Sequence, residues 1–313
     1  MTRTRKPSRR VALAVQVAAQ AKVNLRLRIL AREASGFHQI ETLLLRLDLA
    51  DIVRVRRTDA SRSLDVSGDV DLAALGPTER NLAWRAAVAY CDAAGWSDGF
   101  AIELEKRIPI GGGLGGGSAD AGAVLRAMDA MSTKPLGEAA LLRIAFTLGA
   151  DVPFLTSGHA YALAWGRGER LLALKPPPRR PVALIVPSFG VSTKEAYGWL
   201  ESPRASSVPV GDAGGILRPT ALADWKRLAA LATNDFEPVV ITRHPMIGEL
   251  VEGLRGMGCA PAMMSGSGSV VFGVMPADSP PVSFGYPPGA EPPPVRGLVT
   301  ASADRVEPVV ALD

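Results

Sequence analysis

Apolar residues alternate with other residues at Val11, Leu13, Val15 and Val17, and again at Leu25, Leu27 and Ile29 against Arg26 and Arg28. A period of two marks a strand with one buried face. Ile52-Val53-Arg54-Val55-Arg56 repeats it, as do Phe100, Ile102 and Leu104 set against Glu103 and Glu105. Between these strands the period changes. From Asn81 to Ala94, Leu82, Ala86, Ala89 and Tyr90 share one helical face until Gly95 stops the run. Ala121, Val124, Leu125 and Met128 again have helical spacing, and a further helix is predicted over Glu138 to Leu148, ended by Gly149. Asp151-Val152-Pro153 follows, where proline discourages continuation.

Lys175-Pro176-Pro177-Pro178-Arg179-Arg180-Pro181 reads as a stiff connector and predicts a domain boundary. Beyond it, Val182 to Val186 reads as a buried strand, Glu195 to Leu200 as the start of a helix, and Met246 to Met257 as another. Val270-Val271-Phe272 reads as a strand after Ser265-Gly266-Ser267-Gly268. The expected organisation is a basic tail at 1–10, an N-terminal domain at 11–175 and a C-terminal domain at 182–313. Within the latter, 276–294 is rich in proline and glycine without periodicity and is expected to be loop.

Composition narrows the class. A chain of 313 residues, 47% hydrophobic, can bury the cores of two domains. No stretch approaches the length of apolar run that a membrane helix needs, so no membrane partner is expected. Cys91 and Cys259 are too few for a disulfide framework or a zinc site, which fits a reducing, cytoplasmic setting. The net charge of +4 is more than supplied by Arg3, Arg5, Lys6, Arg9 and Arg10, leaving the rest slightly acidic and nucleic acid an unexpected partner. Ser8-Arg9-Arg10 before Val11–Ala19, with Ala19-Gln20-Ala21, imitates a twin-arginine export signal. Gln16 interrupts that run, and cleavage would delete a segment patterned as a strand, so a basic terminus is the preferred reading.

The chemistry concentrates at Pro109-Ile110-Gly111-Gly112-Gly113-Leu114-Gly115-Gly116-Gly117-Ser118, between a strand and a helix. Backbone N–H groups at a helix start carry partial positive charge, and glycine lets the main chain approach a polyphosphate. A flexible linker is the bland alternative, but periodic elements abut both sides. No G-x-x-x-x-G-K-[ST] occurs, and the acidic residue of a dinucleotide fold is missing, so the cradle is of another kind.

The run Pro109 to Ala119 closely resembles the phosphate loop of the GHMP kinases, named for galactokinase, homoserine kinase, mevalonate kinase and phosphomevalonate kinase. Ala21-Lys22-Val23-Asn24-Leu25 with Gly36-Phe37-His38-Gln39-Ile40-Glu41-Thr42 resembles the first motif of one branch, whose acceptor is a cytidine diphosphate-linked polyol. Leu148 to Phe154 and the loop at 265–268 resemble its later motifs, so the likeness covers about residues 11 to 275.

The resemblance implies roles residue by residue. Asp151 matches the catalytic aspartate and Lys22 the lysine beside it. Asn24, His38 and Thr193 match substrate-binding positions, with Phe37 and Tyr197 as the two faces of a cytosine sandwich. Phe37 stands where the family usually has tyrosine. Asn81, Leu82 and Lys106 match positions near the adenine. Pro109, Gly111, Gly112, Gly113, Leu114, Gly115, Gly116, Gly117 and Ser118 would wrap the phosphates. Ala119 and Asp120 replace the usual serine and asparagine, which leaves the metal ligands unassigned. ATP and Mg2+ are the implied cofactors. The implied fold is α/β (α+β) with two domains, the first resembling a ribosomal-protein domain and the second a smaller ferredoxin-like one, in a monomer or weak homodimer. Two alternatives stay open here, a GHMP kinase for another small alcohol and a non-catalytic nucleotide- or RNA-binding module.

Overall fold

The computed structural model describes residues 12–68, 76–201, 219–280 and 295–312. The basic tail expected at 1–10 and most of the proline-rich segment, 281–294, lie outside them. Strand β1 (Ala14–Arg32) is one continuous element where the sequence showed two alternating stretches. Its odd positions from Val15 to Ile29 are all buried, as period two requires. What hid its middle is that Gln20, Lys22 and Asn24, on the opposite face, are buried as well. A strand covered on both faces, with polar residues on one, marks the place where a site lies against the sheet.

β1 pairs antiparallel with β2 (His38–Thr58), and β2 with β4 (Gly99–Lys106), which carries β3 (Arg62–Gly68) in parallel at the edge. β5 (Tyr161–Gly166) and β6 (Arg170–Ala173) extend β2 at its other end. Helices α1 (Leu82–Ala94), α2 (Gly116–Ala130), α3 (Glu138–Leu148) and α4 (Val152–Thr156) pack with this sheet around Val17, Leu45, Val55, Phe100, Val124 and Phe154. Asn81 caps α1 by accepting from Ala83 N–H at 2.9 Å, and Gly95 closes it in the left-handed conformation.

Past the proline connector, β7 (Pro181–Pro187) opens a second sheet with β9 (Ala262–Met264), β10 (Val271–Val274) and β11 (Val295–Ala301), in the antiparallel order β11-β7-β10-β9. The last strand lying beside the first is the ferredoxin-like order, as expected. Helices α5 (Thr193–Glu201), α6 (Trp225–Leu231), α7 (Glu237–Arg243) and α8 (Pro245–Gly256) accompany it. A core of Ala183, Val240, Ile247, Val251, Met264 and Val271 lies beneath. Two strands cross back to the first sheet: β8 (Thr233–Asn234) pairs with β1 in parallel, and β12 (Val310–Leu312) pairs with its outer edge.

Candidate active site

The phosphate-loop segment leaves β4 at Lys106 and enters α2 at Gly116. Gly113 sits at φ +82°, and a side chain there would meet the Ser265 carbonyl at 2.1 Å. Gly115, at φ +73°, would crowd the Lys22 stem at 3.0 Å. These positions therefore need glycine both for conformation and for room. α2 has no side-chain cap, so its first N–H groups open on the cleft and suit an anion. Val270 N–H donates to Gly112 O at 3.1 Å, Ser265 Oγ to Gly113 O at 3.0 Å and Lys22 N–H to Leu114 O at 2.9 Å. The loop is thus clamped between β1 and the glycine-serine loop of the second sheet.

On the far side of Lys22, its ammonium lies 3.2 Å from Asp151 Oδ2 and donates to Asn24 Oδ1 at 2.7 Å. Asn24 in turn donates to Thr42 Oγ1 at 2.9 Å, which fixes the amide's orientation. Lys22 is buried at 3% exposure whereas Asp151 is 31% exposed. Asp151 occupies the N-cap of α4, but its side chain caps nothing there, so the carboxylate remains available. The arrangement places a partly solvated carboxylate beside a buried cation, with that cation's stem against the glycine loop.

A second cluster closes the opposite end. The Lys106 ammonium touches Asp51 and lies 2.7 Å from Asp120 Oδ2. Asp51 also accepts from the backbone N–H groups of Arg107 and Ile108 at 2.5 and 2.7 Å, where β4 turns into the loop. Burial pushes the Asp120 carboxyl up to about 8 despite the pull of Lys106, with Asp51 adding repulsion. For Lys106, burial works against the charge, but Asp120 and Asp51 outweigh it and raise its value. Asp120 Oδ1 finds no hydrogen-bond partner among the described residues.

These groups share one cavity of about 610 Å³, lined by Lys22, Asn24, Asn81, Leu82, Lys106, the loop Pro109 to Ser118, Asp151, Thr193 and Tyr197. Thr193 and Ser267 hydroxyls meet at 2.9 Å on its wall. Of the two expected aromatic faces, Tyr197 lines the cavity. Tyr197 stacks on His38, with centroids 4.3 Å apart, and meets Phe236 edge-on at 4.9 Å. Phe37 is 58% exposed beneath the Arg167 guanidinium, 4.3 Å away, and does not line the cavity. Phe37 lies in the turn just before β2, whereas His38, at the first position of the strand, meets Tyr197 and Ile40 lines the cavity. Burial, and after it the Asp151 charge, push the Tyr197 phenol up to about 12, keeping it a neutral donor near that carboxylate.

The sequence reading missed Asp51, Asp120 as a partner of Lys106, and Phe236. Asp51 belongs to no motif, and only the pairing of β2 with β4 brings it under the loop. Among the described residues no cluster of three or more metal-ligating side chains exists.

Comparison with known proteins agrees with this geometry. The model of the GHMP kinases N terminal domain matches residues 81–159, and that of the GHMP kinases C terminal domain matches 217–282. A 4-diphosphocytidyl-2-C-methyl-D-erythritol kinase of Pelotomaculum thermopropionicum is 37% identical over 265 residues, covering 84% of this chain and 89% of its own length. One from Solidesulfovibrio magneticus is 40% identical over 264 residues, covering 81% and 86%. A crystal structure of 4-(cytidine 5'-diphospho)-2C-methyl-D-erythritol kinase superposes with a TM-score of 0.68 at 32% identity, over 92% of this chain and 98% of that one. Homoserine kinase from Cytophaga hutchinsonii has a TM-score of 0.69 at 19% identity over 99% of both chains, and shares the fold.

Proposed function

The chain belongs to the GHMP kinases, in the branch of the relatives just described, and on that premise we propose that it phosphorylates the 2-hydroxyl of 4-diphosphocytidyl-2-C-methyl-D-erythritol with ATP, giving ADP and the 2-phosphate in non-mevalonate isoprenoid synthesis. The observation that carries this reading is the Lys22–Asp151 pair, 3.2 Å apart, lying in the same cavity as the glycine loop.

In this reading Asp151 accepts the proton of the substrate hydroxyl, and its partial exposure leaves room for that oxygen. Lys22 pairs with Asp151 and carries positive charge between the base and the phosphates. The amides of Gly112 to Ser118 hold the triphosphate, while Asn81, Leu82 and Lys106 lie on the adenine side. Tyr197, His38 and Phe236 form the wall on which cytosine stacks. The residues fit a magnesium ion carried on the phosphates, with the Ser118 hydroxyl in reach of them, rather than a dedicated protein cage. That ion neutralises charge on the β- and γ-phosphates.

We also keep as part of this reading the domain division at the proline connector, a cytoplasmic location and a monomer or weak homodimer. A coupled ADP-release assay tests the function directly. Turnover with the cytidine diphosphate-linked polyol, and none with homoserine, mevalonate or galactose, is expected. Preference for one of those alcohols would overturn the substrate assignment.

A further inference from the structure

Arg46 lies in β2, directly opposite Lys22 in the β1–β2 register, and is 1% exposed. No carboxylate pairs with it among the described residues. Its guanidinium instead donates to three carbonyls: Phe154 O at 2.9 Å, Ser157 O at 3.0 Å and His159 O at 3.1 Å. A buried cation without a counter-charge is expensive, and an apolar side chain would fill the same volume more cheaply. What the guanidinium alone provides is a rigid, planar set of donors aimed at fixed points.

Those points are the end of α4 and the turn after it. Its beginning is Asp151, held by Lys22. Its middle is pressed on α2 at Gly122, where a Cβ would stand 2.5 Å from Leu155 O. Two cross-strand neighbours therefore grip the two ends of one short helix, and the phosphate-loop helix backs it between them. A shift of α4 along its axis would move Asp151 relative to both Lys22 and the loop. Positioning errors of this kind weaken transition-state interactions more than ground-state binding.

We propose that Arg46 is a positioning residue for phosphoryl transfer, which fixes the Asp151 carboxylate by anchoring the far end of α4. This inference rests on Asp151 being the base. The test is a double-mutant cycle of Arg46→Met with Asp151→Asn, read as kcat per nucleotide-binding site, with sites counted by calorimetric titration with a non-hydrolysable ATP analogue. Arg46→Met alone is expected to lower kcat about 10-fold, with KM for ATP and for the polyol within about 3-fold of wild type. On the Asp151→Asn background it should cost less than about 2-fold more, because the two act through one group. The same fold-loss on both backgrounds, or wild-type kcat in Arg46→Met, overturns the proposal. Near-normal kcat in Asp151→Asn alone would instead remove the base assignment on which it stands. Should Arg46→Met not fold, Arg46→Lys, which keeps the charge but not the planar fork, carries the same cycle with the same two outcomes.

Discussion

Lys22 and Lys106 both line the cleft and both pair with aspartate, yet their surroundings differ. Lys22 faces one carboxylate, Asp151, which is 31% exposed. Lys106 faces two, Asp51 and Asp120, whose side chains are 0% and 3% exposed. In the first pair water and substrate can reach the carboxylate, so its interactions can change during a reaction. In the second, one ammonium is shared by two carboxylates away from water, and the conflict is relieved by Asp120 holding its proton toward pH 8. Equal residue types thus give an accessible pair where one member is open and a structural anchor where all are buried. The anchor pins the strand-to-loop turn through Asp51, and the loop it pins is the one that the open pair abuts.

Breaking the open pair should have the largest effect. Asp151→Asn is expected to lower kcat by ~10² to 10⁴, about 3 to 5 kcal/mol of barrier, with KM for ATP little changed. Steady-state kinetics decides it, and turnover near wild type would remove Asp151 from the role. Breaking the buried cluster should act on stability as well as on the nucleotide side of the cleft. Lys106→Met leaves Asp51 without its cation in a dry site, at a cost of about 3 kcal/mol in denaturant unfolding at pH 7. A loss below about 1 kcal/mol would mean that the cluster is not the anchor described here.

A third substitution sharpens the acceptor side of the comparison. His38→Ala removes the ring stacked on Tyr197 and should raise KM for the cytidine substrate about 10-fold while leaving KM for ATP within about 2-fold. Phe37→Ala, outside the cavity, should change the first far less; equal effects of the two would restore Phe37 to the wall.

The smallest expected effect is a pH slope. The folded Asp120 value lies above the ordinary 3.8, so between there and about 8 the folded protein keeps a proton that the unfolded chain has released. Its stabilising contribution is complete at the acid end and declines as pH rises toward 8. Lys106, whose value is raised, loses its contribution only above the lysine range, outside this window. Asp120→Asn should flatten the fall of Tm between pH 5 and 8, measured by calorimetry, and an unchanged slope would contradict the retained proton.

The sequence carried the backbone-built part of the site well. A glycine run between a strand and a helix is local, and so is an aspartate after a helix-ending Gly149. What it could not carry was anything fixed by pairing between distant strands. Asp51 reaches Lys106 only because β2 lies beside β4, and Arg46 opposes Lys22 only through the β1–β2 register. The middle of β1 escaped for a related reason. Lys22 and Asn24 break the polar-out rule because their polar face is itself covered. Phe37 could not be placed from the sequence because it sits in the turn before β2, where no period fixes which way a side chain faces.

The closing strand of the first sheet has a consequence for biosynthesis. β12 covers the outer edge of β1 at Ala14 to Gln16, and the Gln20 side chain is tied to the backbone of Arg305 and Glu307. A ribosome therefore releases β1 with part of its margin bare, and seals it only after β12 has emerged. During that interval the nascent sheet offers an unprotected rim to other strands, so holding by chaperones should matter most for this protein before β12 is made.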